Sequence, residues 1–356
     1  MLGSATAADP ASAPASLAVW DHSIDLRAGV GYKDNILFGS ANHEGSPFED
    51  TGLDLMLLRL STSGTLFNFF LTGDDIRYFH APDVDKEQTL LSQAQLKKDL
   101  GPDWKAALTV QYFYENQIYD ASITETNFTA VQARGHNLSL GPALRRELGH
   151  HYWVELAGNG QRQWFAAPLE SYWQGGPKLT VGRDLSQQSD LTLSYSWERR
   201  VYINFNEIAL DETPIAGTTA AFWIQQAELA WHRNWDAQRH WRTVTRLIYL
   251  VNQDNGPGFF NYHEYRLVQQ LRYQARPWQF EARAAVSRYE FDRQTVSLAD
   301  LSTRHRTDAT FSVRGERRLT RALRAFAEYA YERSVSNLAF DQYHVNQILG
   351  GLDWEF

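Results

Sequence analysis

Across most of its length this sequence alternates. Trp104, Ala106, Leu108, Val110, Tyr112 and Tyr114 are interleaved with Lys105, Thr109, Gln111 and Glu115. Leu191, Leu193, Tyr195 and Trp197 alternate with Thr192, Ser194, Ser196 and Glu198, and Trp278, Phe280, Ala282, Ala284 and Val286 with Gln279, Glu281, Arg283 and Ser287. Successive side chains of a β-strand point to opposite faces, so each segment carries one apolar and one polar face. Helical spacing does not produce such runs. The chain is therefore confined to strands that each separate two different solvents.

Connections set the number of strands. Short ones, rich in Gly, Pro, Asp and Asn, fall at 62–64, 100–103, 145–149, 184–189, 234–239, 275–277 and 318–321. These residues suit tight turns, where φ is unusual or pre-set. Longer polar loops occupy 33–50, 79–88, 115–127, 165–171, 200–220, 252–262, 292–305 and 333–342. Seven short and eight long connections imply about 16 antiparallel strands, with both ends on one side. A soluble propeller would carry a motif recurring every 40–50 residues or so, and none recurs here.

Aromatics collect at two levels. Trp104, Tyr152, Trp153, Trp235, Trp241, Trp278, Trp354 and Phe356 lie beside short turns. Tyr112, Tyr114, Trp173, Phe222, Trp223, Phe259, Phe260, Tyr289, Tyr329, Tyr331 and Tyr343 lie towards long loops. Two such belts are expected where a wall crosses both lipid–water interfaces. Composition permits this: mean hydropathy is only −0.46, and no apolar run approaches the roughly 18–20 residues of a membrane helix. Barrel strands need only alternate side chains to be apolar. The absence of Cys fits an oxidising compartment without disulfides. A net charge of −8 with no dominant basic stripe argues against nucleic acid as a partner.

The chain ends Ile348, Gly350, Leu352, Trp354, Phe356 along one strand face. This resembles the carboxy-terminal sorting signal of bacterial outer-membrane β-barrels, with Gly351, Trp354 and Phe356 where that signal places a glycine and two hydrophobic or aromatic residues. Leu349 departs from it, since a polar residue is usual there. The resemblance implies an all-β, transmembrane antiparallel up-and-down barrel of about 16 strands in a Gram-negative outer membrane. Its short turns would be periplasmic and its longer loops extracellular. It also implies outer-membrane lipid as surroundings, the barrel-assembly machinery during biogenesis and, by likeness to porins, a homotrimer.

Ala5-Thr6-Ala7 resembles the small-residue end of a secretory signal, cut before Ala8 or Asp9, which implies a start inside a longer precursor. Residues 1–18 are read as signal remnant and flexible leader, and 19–356 as the barrel. Gly31-Tyr32-Lys33-Asp34-Asn35-Ile36-Leu37 resembles segments that open barrels associated with polysaccharide export. A polar Asp-Asn pair is also an ordinary way to leave a strand.

By parity Arg242, Arg246, Arg266, Arg272, Arg283, Arg314 and Arg324 face inward, as do Glu228, Glu264, Glu281, Glu316 and Glu328. Such residues select solutes in pore walls, or pair across strands and stiffen the wall. By likeness to porins the third long loop, with Glu115, Asp120 and Glu125, folds inward as a constriction opposite a basic wall. The loop at 200–220, with Glu207, Asp211 and Glu212, is the longer candidate for an inward lid. Asp74-Asp75 with His80, Asp83 and Asp85 could activate water or ligate a hard cation. Asp-Asp beside Gly73 is equally a strand-edge feature, so no catalytic or metal residue is assigned. His150-His151 reads as an interfacial pair. Without Cys, covalent haem is excluded, and no Walker sequence or dinucleotide fingerprint appears, so no cofactor is expected. The favoured function is a porin-like channel for passive diffusion of small polar or charged solutes. The alternatives are an export port for exopolysaccharide or another polymer, fed by a periplasmic partner, and a structural barrel with a blocked lumen.

Overall fold

The computed structural model describes residues 20–40, 43–60, 64–81, 84–120, 131–297 and 300–356. Strands run β1 Trp20–Lys33, β2 Ser46–Arg59, β3 Thr65–Tyr78, β4 Lys86–Asp99, β5 Trp104–Tyr119, β6 Val131–Gly149, β7 Tyr152–Phe165 and β8 Tyr172–Ser186. They continue as β9 Ser189–Tyr202, β10 Ala221–Asn234, β11 Trp241–Asp254, β12 Tyr262–Ala275, β13 Trp278–Thr295, β14 Thr303–Arg318, β15 Leu323–Ser336 and β16 Tyr343–Glu355. Every strand pairs antiparallel with its sequence neighbours, and β16 returns to β1 from Asp25↔Glu355 to Lys33↔Gln347. Closure leaves no free edge, which is what a sheet needs where no water can satisfy its backbone. The leader and Asp83 lie outside the described residues.

Alternation sorts the chemistry by face. Leu26, Leu108, Leu140, Leu156, Leu193, Leu247, Leu267, Val286 and Ile348 point outward and are exposed, Leu156 at 58%. Apolar exposure on this scale is unstable in water and normal against lipid. Polar residues cover the inner face, as where Asn137 of β6 donates to Gln163 of β7 at 2.9 Å and Gln163 donates to Glu115 of β5 at 3.1 Å.

Both belts are present on the outside, with a correction to their membership. Beside the short turns, arginines lie over the rings: Arg146 over Trp104, Arg183 over Tyr152 and Arg317 over Trp278, at 4.8–5.3 Å. Trp153 does not belong there. It shares the inner face with Arg145, whose guanidinium lies 3.9 Å from its ring. Phe222, Phe259, Phe260, Tyr289 and Tyr343 are also inside and buried. Phe222, Phe259 and Phe260 pack with Tyr202, Ile208 and Ala220, where the 203–220 and 255–261 loops fold over the long-loop mouth. A second cluster, Ile36, Phe48, Tyr78, Val84 and Ile118, fills the mouth beside β1–β5. Proximity to a long loop marks height along the barrel; it does not decide which face a ring takes.

Glycine matters where rings cross the closing seam. A Cβ on Gly31 would collide with the Ile348 carbonyl and the Phe48 ring, and one on Gly351 with the Ala28 carbonyl.

Candidate functional site: the charged lumen wall

Two adjoining arcs of the inner wall differ in how their charges are paired. One, from β14 through β16 to β4, is knitted by ion pairs. Arg27 of β1 holds Asp50 of β2 at 2.9 Å and also binds Asp74 of β3. Arg314 of β14 reaches Glu316 at 2.7 Å, Glu328 of β15 at 3.2 Å and Asp353 of β16 at 2.8 Å. Arg324 of β15 binds Asp25 across the closing seam at 2.7 Å. Higher up, Lys33 Nζ lies 3.0 Å from Glu87, which also accepts from the Tyr78 hydroxyl. At the mouth Arg304 and Asp341 form a pair with side chains 3% and 1% exposed.

The other arc, on β11–β13, is different. Arg242, Arg272 and Arg283 face inward and are exposed, as is Glu281. Among the described residues none of these four makes an ion pair. Arg242 and Arg272 are register partners, so two cations stand side by side. Such a pair is repulsive unless water or an anion screens it. Arg246 and Glu228 approach only to 4.0 Å. Within this arc Arg266 of β12 is nevertheless committed to Glu264 at 2.5 Å, with the carboxylate side chain 3% exposed.

Among the described residues one ion pair crosses the lumen. Asp120, directly after β5, meets Arg306 of β14 at 2.6 Å. Counting β14, β15, β16, β1, β2, β3, β4, β5 gives seven steps round a ring of sixteen, nearly a diameter. The β5–β6 hairpin reaches this far because it outruns β4. Its ladder with β4 stops at Asn116, and beyond that Ile118 packs into the mouth cluster over Phe48 and Tyr78.

Solved structures share this architecture. OccAB1 of Acinetobacter baumannii matches with a TM-score of 0.50 at 10% identity, over 95% of this chain and 97% of that chain. The outer membrane protein OprD of Pseudomonas aeruginosa gives 0.45 at 12% identity, over 94% of each chain. A loop-deletion mutant of OmpT, an outer membrane protein of Vibrio cholerae, gives 0.47 at 10%, over 95% of this chain and 99% of that one. At these identities the likeness is one of fold. The closed ring and its lipid-type exterior agree with the fold of OccAB1. This chain has the fold of a 16-stranded outer-membrane-type β-barrel. No protein-family model matches the sequence, and no curated protein matches it.

In this barrel all twelve arginines and glutamates of the parity argument lie on the inner register. They do not act as one ladder. Arg314, Arg324 and Arg266 are tied to carboxylates, while Arg242, Arg272 and Arg283 are not. Glu115 is a wall residue on β5, because the strand runs on to Tyr119; of the two described residues of the anticipated constriction, Asp120 alone reaches a basic partner. Glu125 lies outside the described residues. In the 203–220 loop Glu207 accepts from Asn255 at 2.7 Å, and Asp211 and Glu212 are exposed. The Thr213 hydroxyl and amide hold the Asp211 carboxyl below the usual range.

Asp74 and Asp75 part company on the strand: Asp74 turns inward to Arg27, and Asp75 turns outward to Arg77 at 3.0 Å. Alternation thus rules out a shared acid pair. Asp34 is occupied by the Asn346 amide at 2.7 Å, and Asn35, fully buried, bonds Gly39 and His344. Both residues staple the first loop to β16. His150 and His151 form a tight turn with φ of 50° and 67°. Trp354 and Phe356 face outward and are exposed. Sequence reasoning missed Arg304, because 292–305 reads as loop while β14 begins at Thr303, and Arg306, whose parity matches that of Arg314. It also missed Arg27, Lys33 and Asp50, whose parity is legible in β1 and β2.

Proposed function

We propose that this barrel is a porin-like channel, carrying small polar or charged solutes passively across the outer membrane and preferring anions. The observation that carries the reading is the exposed, unpaired inner-face trio Arg242, Arg272 and Arg283. Charges left without partners on a wall are stable only in water, and a net positive arc concentrates anions beside it. The adjoining arc, neutralised within itself, stiffens the wall and contributes little field. No bond-making step is required of any residue.

A second reading, a lumen occluded at the mouth, is favoured by the Asp120–Arg306 bridge and the two apolar clusters. An export port waiting for its periplasmic partner would fall under it. Planar-bilayer recording in a KCl gradient separates the two. Stable single-channel steps with a reversal potential on the chloride side are expected of the open channel. Silence would favour the occluded barrel, and a clear cation preference would contradict the role given to the trio.

A further inference from the structure

Outward-facing arginines near the long-loop rim differ round the circumference. On β3 and β13 they are neutralised: Arg77 binds Asp75 at 3.0 Å and Arg288 lies 3.6 Å from Glu290. The outward registers of β6–β10 contain no Asp or Glu at all, yet Arg134, Arg162 and Arg199 stand there. Arg162 lies over two rings, 4.9 Å from Trp173 and 5.5 Å from Trp164. Its Nε and Nη1 are covered by protein and have no hydrogen-bond acceptor. Arg199 lies 5.0 Å from Trp223, which stacks on Trp197 with ring planes 10° apart.

Register fixes how the two cations sit. Arg162 pairs with Trp173, and Gly175, next along that face of β8, pairs with Arg199. Two strand spacings, roughly 10 Å, separate the β7 and β9 backbones that carry them, with Trp173 and Gly175 of β8 between. Directly below, the same face is nearly bare: Gly158 and Gly160 on β7 oppose Pro177 and Gly175 on β8, with Pro142 on β6 alongside. A Cβ built on Gly160 meets nothing within 4 Å. The outer wall therefore offers a smooth trough capped by two aromatic-braced cations.

We infer that this face of β6–β10 binds a phosphorylated lipid of the outer leaflet, its phosphates on Arg162 and Arg199 and an acyl chain in the glycine trough. Guanidinium groups suit phosphate because their planar donors bind two oxygens at once. Stacking on tryptophan holds them in place without spending those donors. The lipid's tail covers backbone that no side chain shields.

The test titrates the purified, folded barrel in detergent with diphosphorylated lipid A, followed by native mass spectrometry. Folding of each variant is checked first by heat-modifiable mobility. The double variant Arg162→Ala, Arg199→Ala should bind roughly tenfold to thirtyfold more weakly, at two cations' worth of attraction to an anionic headgroup. Gly160→Leu, which keeps every charge, should also weaken binding by filling the trough. Arg77→Ala, which removes an outward arginine that already has its acid, should leave affinity unchanged. Wild-type affinity in the double variant would overturn the proposal, as would equal affinity for fully dephosphorylated lipid A. Competition by millimolar inorganic phosphate as effective as lipid A itself would overturn it too, by showing a site for free anions.

Discussion

Replacing Arg242, Arg272 and Arg283 together by Glu turns the barrel from an anion-preferring into a cation-preferring channel. The expected swing in the chloride-to-potassium permeability ratio is roughly tenfold or more, since clefts lined by one sign of charge enrich the opposite ion by that order. It is large because no protein carboxylate within ion-pair distance already cancels these three charges. The same exchange at Arg314 or Arg324 should instead disrupt assembly, since each would leave acidic partners facing a new acid. Reversal potentials of the triple variant in a KCl gradient decide the matter. A ratio equal to wild type would place the conduction path elsewhere or remove it.

Asp341→Ala should destabilise the long-loop mouth by about 3–5 kcal/mol, the usual cost of stripping one partner from a buried ion pair. Arg304 donates from Nε and Nη2 to Asp341 Oδ2 at 2.9 and 2.5 Å, and from Nη1 to Gln294 at 2.6 Å. The Ser336 hydroxyl lies 3.2 Å from the same carboxylate oxygen, and the Phe291 ring 4.6 Å from the guanidinium. One pair thus ties the ends of β13, β14 and β15 to the 337–342 loop. Thermal melts in detergent, with limited proteolysis at 337–342, read the loss. The apolar double exchange Arg304→Met, Asp341→Leu should recover most of it, because it leaves no buried charge behind. An Asp341→Ala barrel that melts and resists protease like wild type would show that the pair stabilises nothing.

The wall was legible because period-2 alternation is written one residue at a time. Leu193 and Ser194 declare their faces without reference to any other strand, and turn residues such as Gly101-Pro102-Asp103 mark the hairpins. What alternation cannot say is which inward charge meets which. Arg27 finds Asp50 and Asp74 on the next two strands, whereas Arg272 faces Glu281 in register and makes no ion pair with it. That difference depends on side-chain reach and tilt. Loops were less legible still. Phe259 and Phe260 look like interfacial rings in sequence, yet they pack on Phe222 because the 203–220 loop folds inward and offers Ile208 as an apolar lid. Likeness to porins sets Asp120 opposite a basic wall, but nothing in the sequence singles out Arg306, because it does not state how far the β5–β6 hairpin outruns β4.

Single cysteines placed along Trp278–Val286 give the most direct test, and the natural absence of Cys makes each one unambiguous. With the barrel in liposomes, a charged, water-soluble thiol reagent should label positions 279, 281, 283 and 285. Positions 280, 282, 284 and 286 should resist it and quench instead with a lipid-soluble probe. Uniform labelling, or an alternation of opposite phase, would contradict a wet interior within a lipid-facing wall.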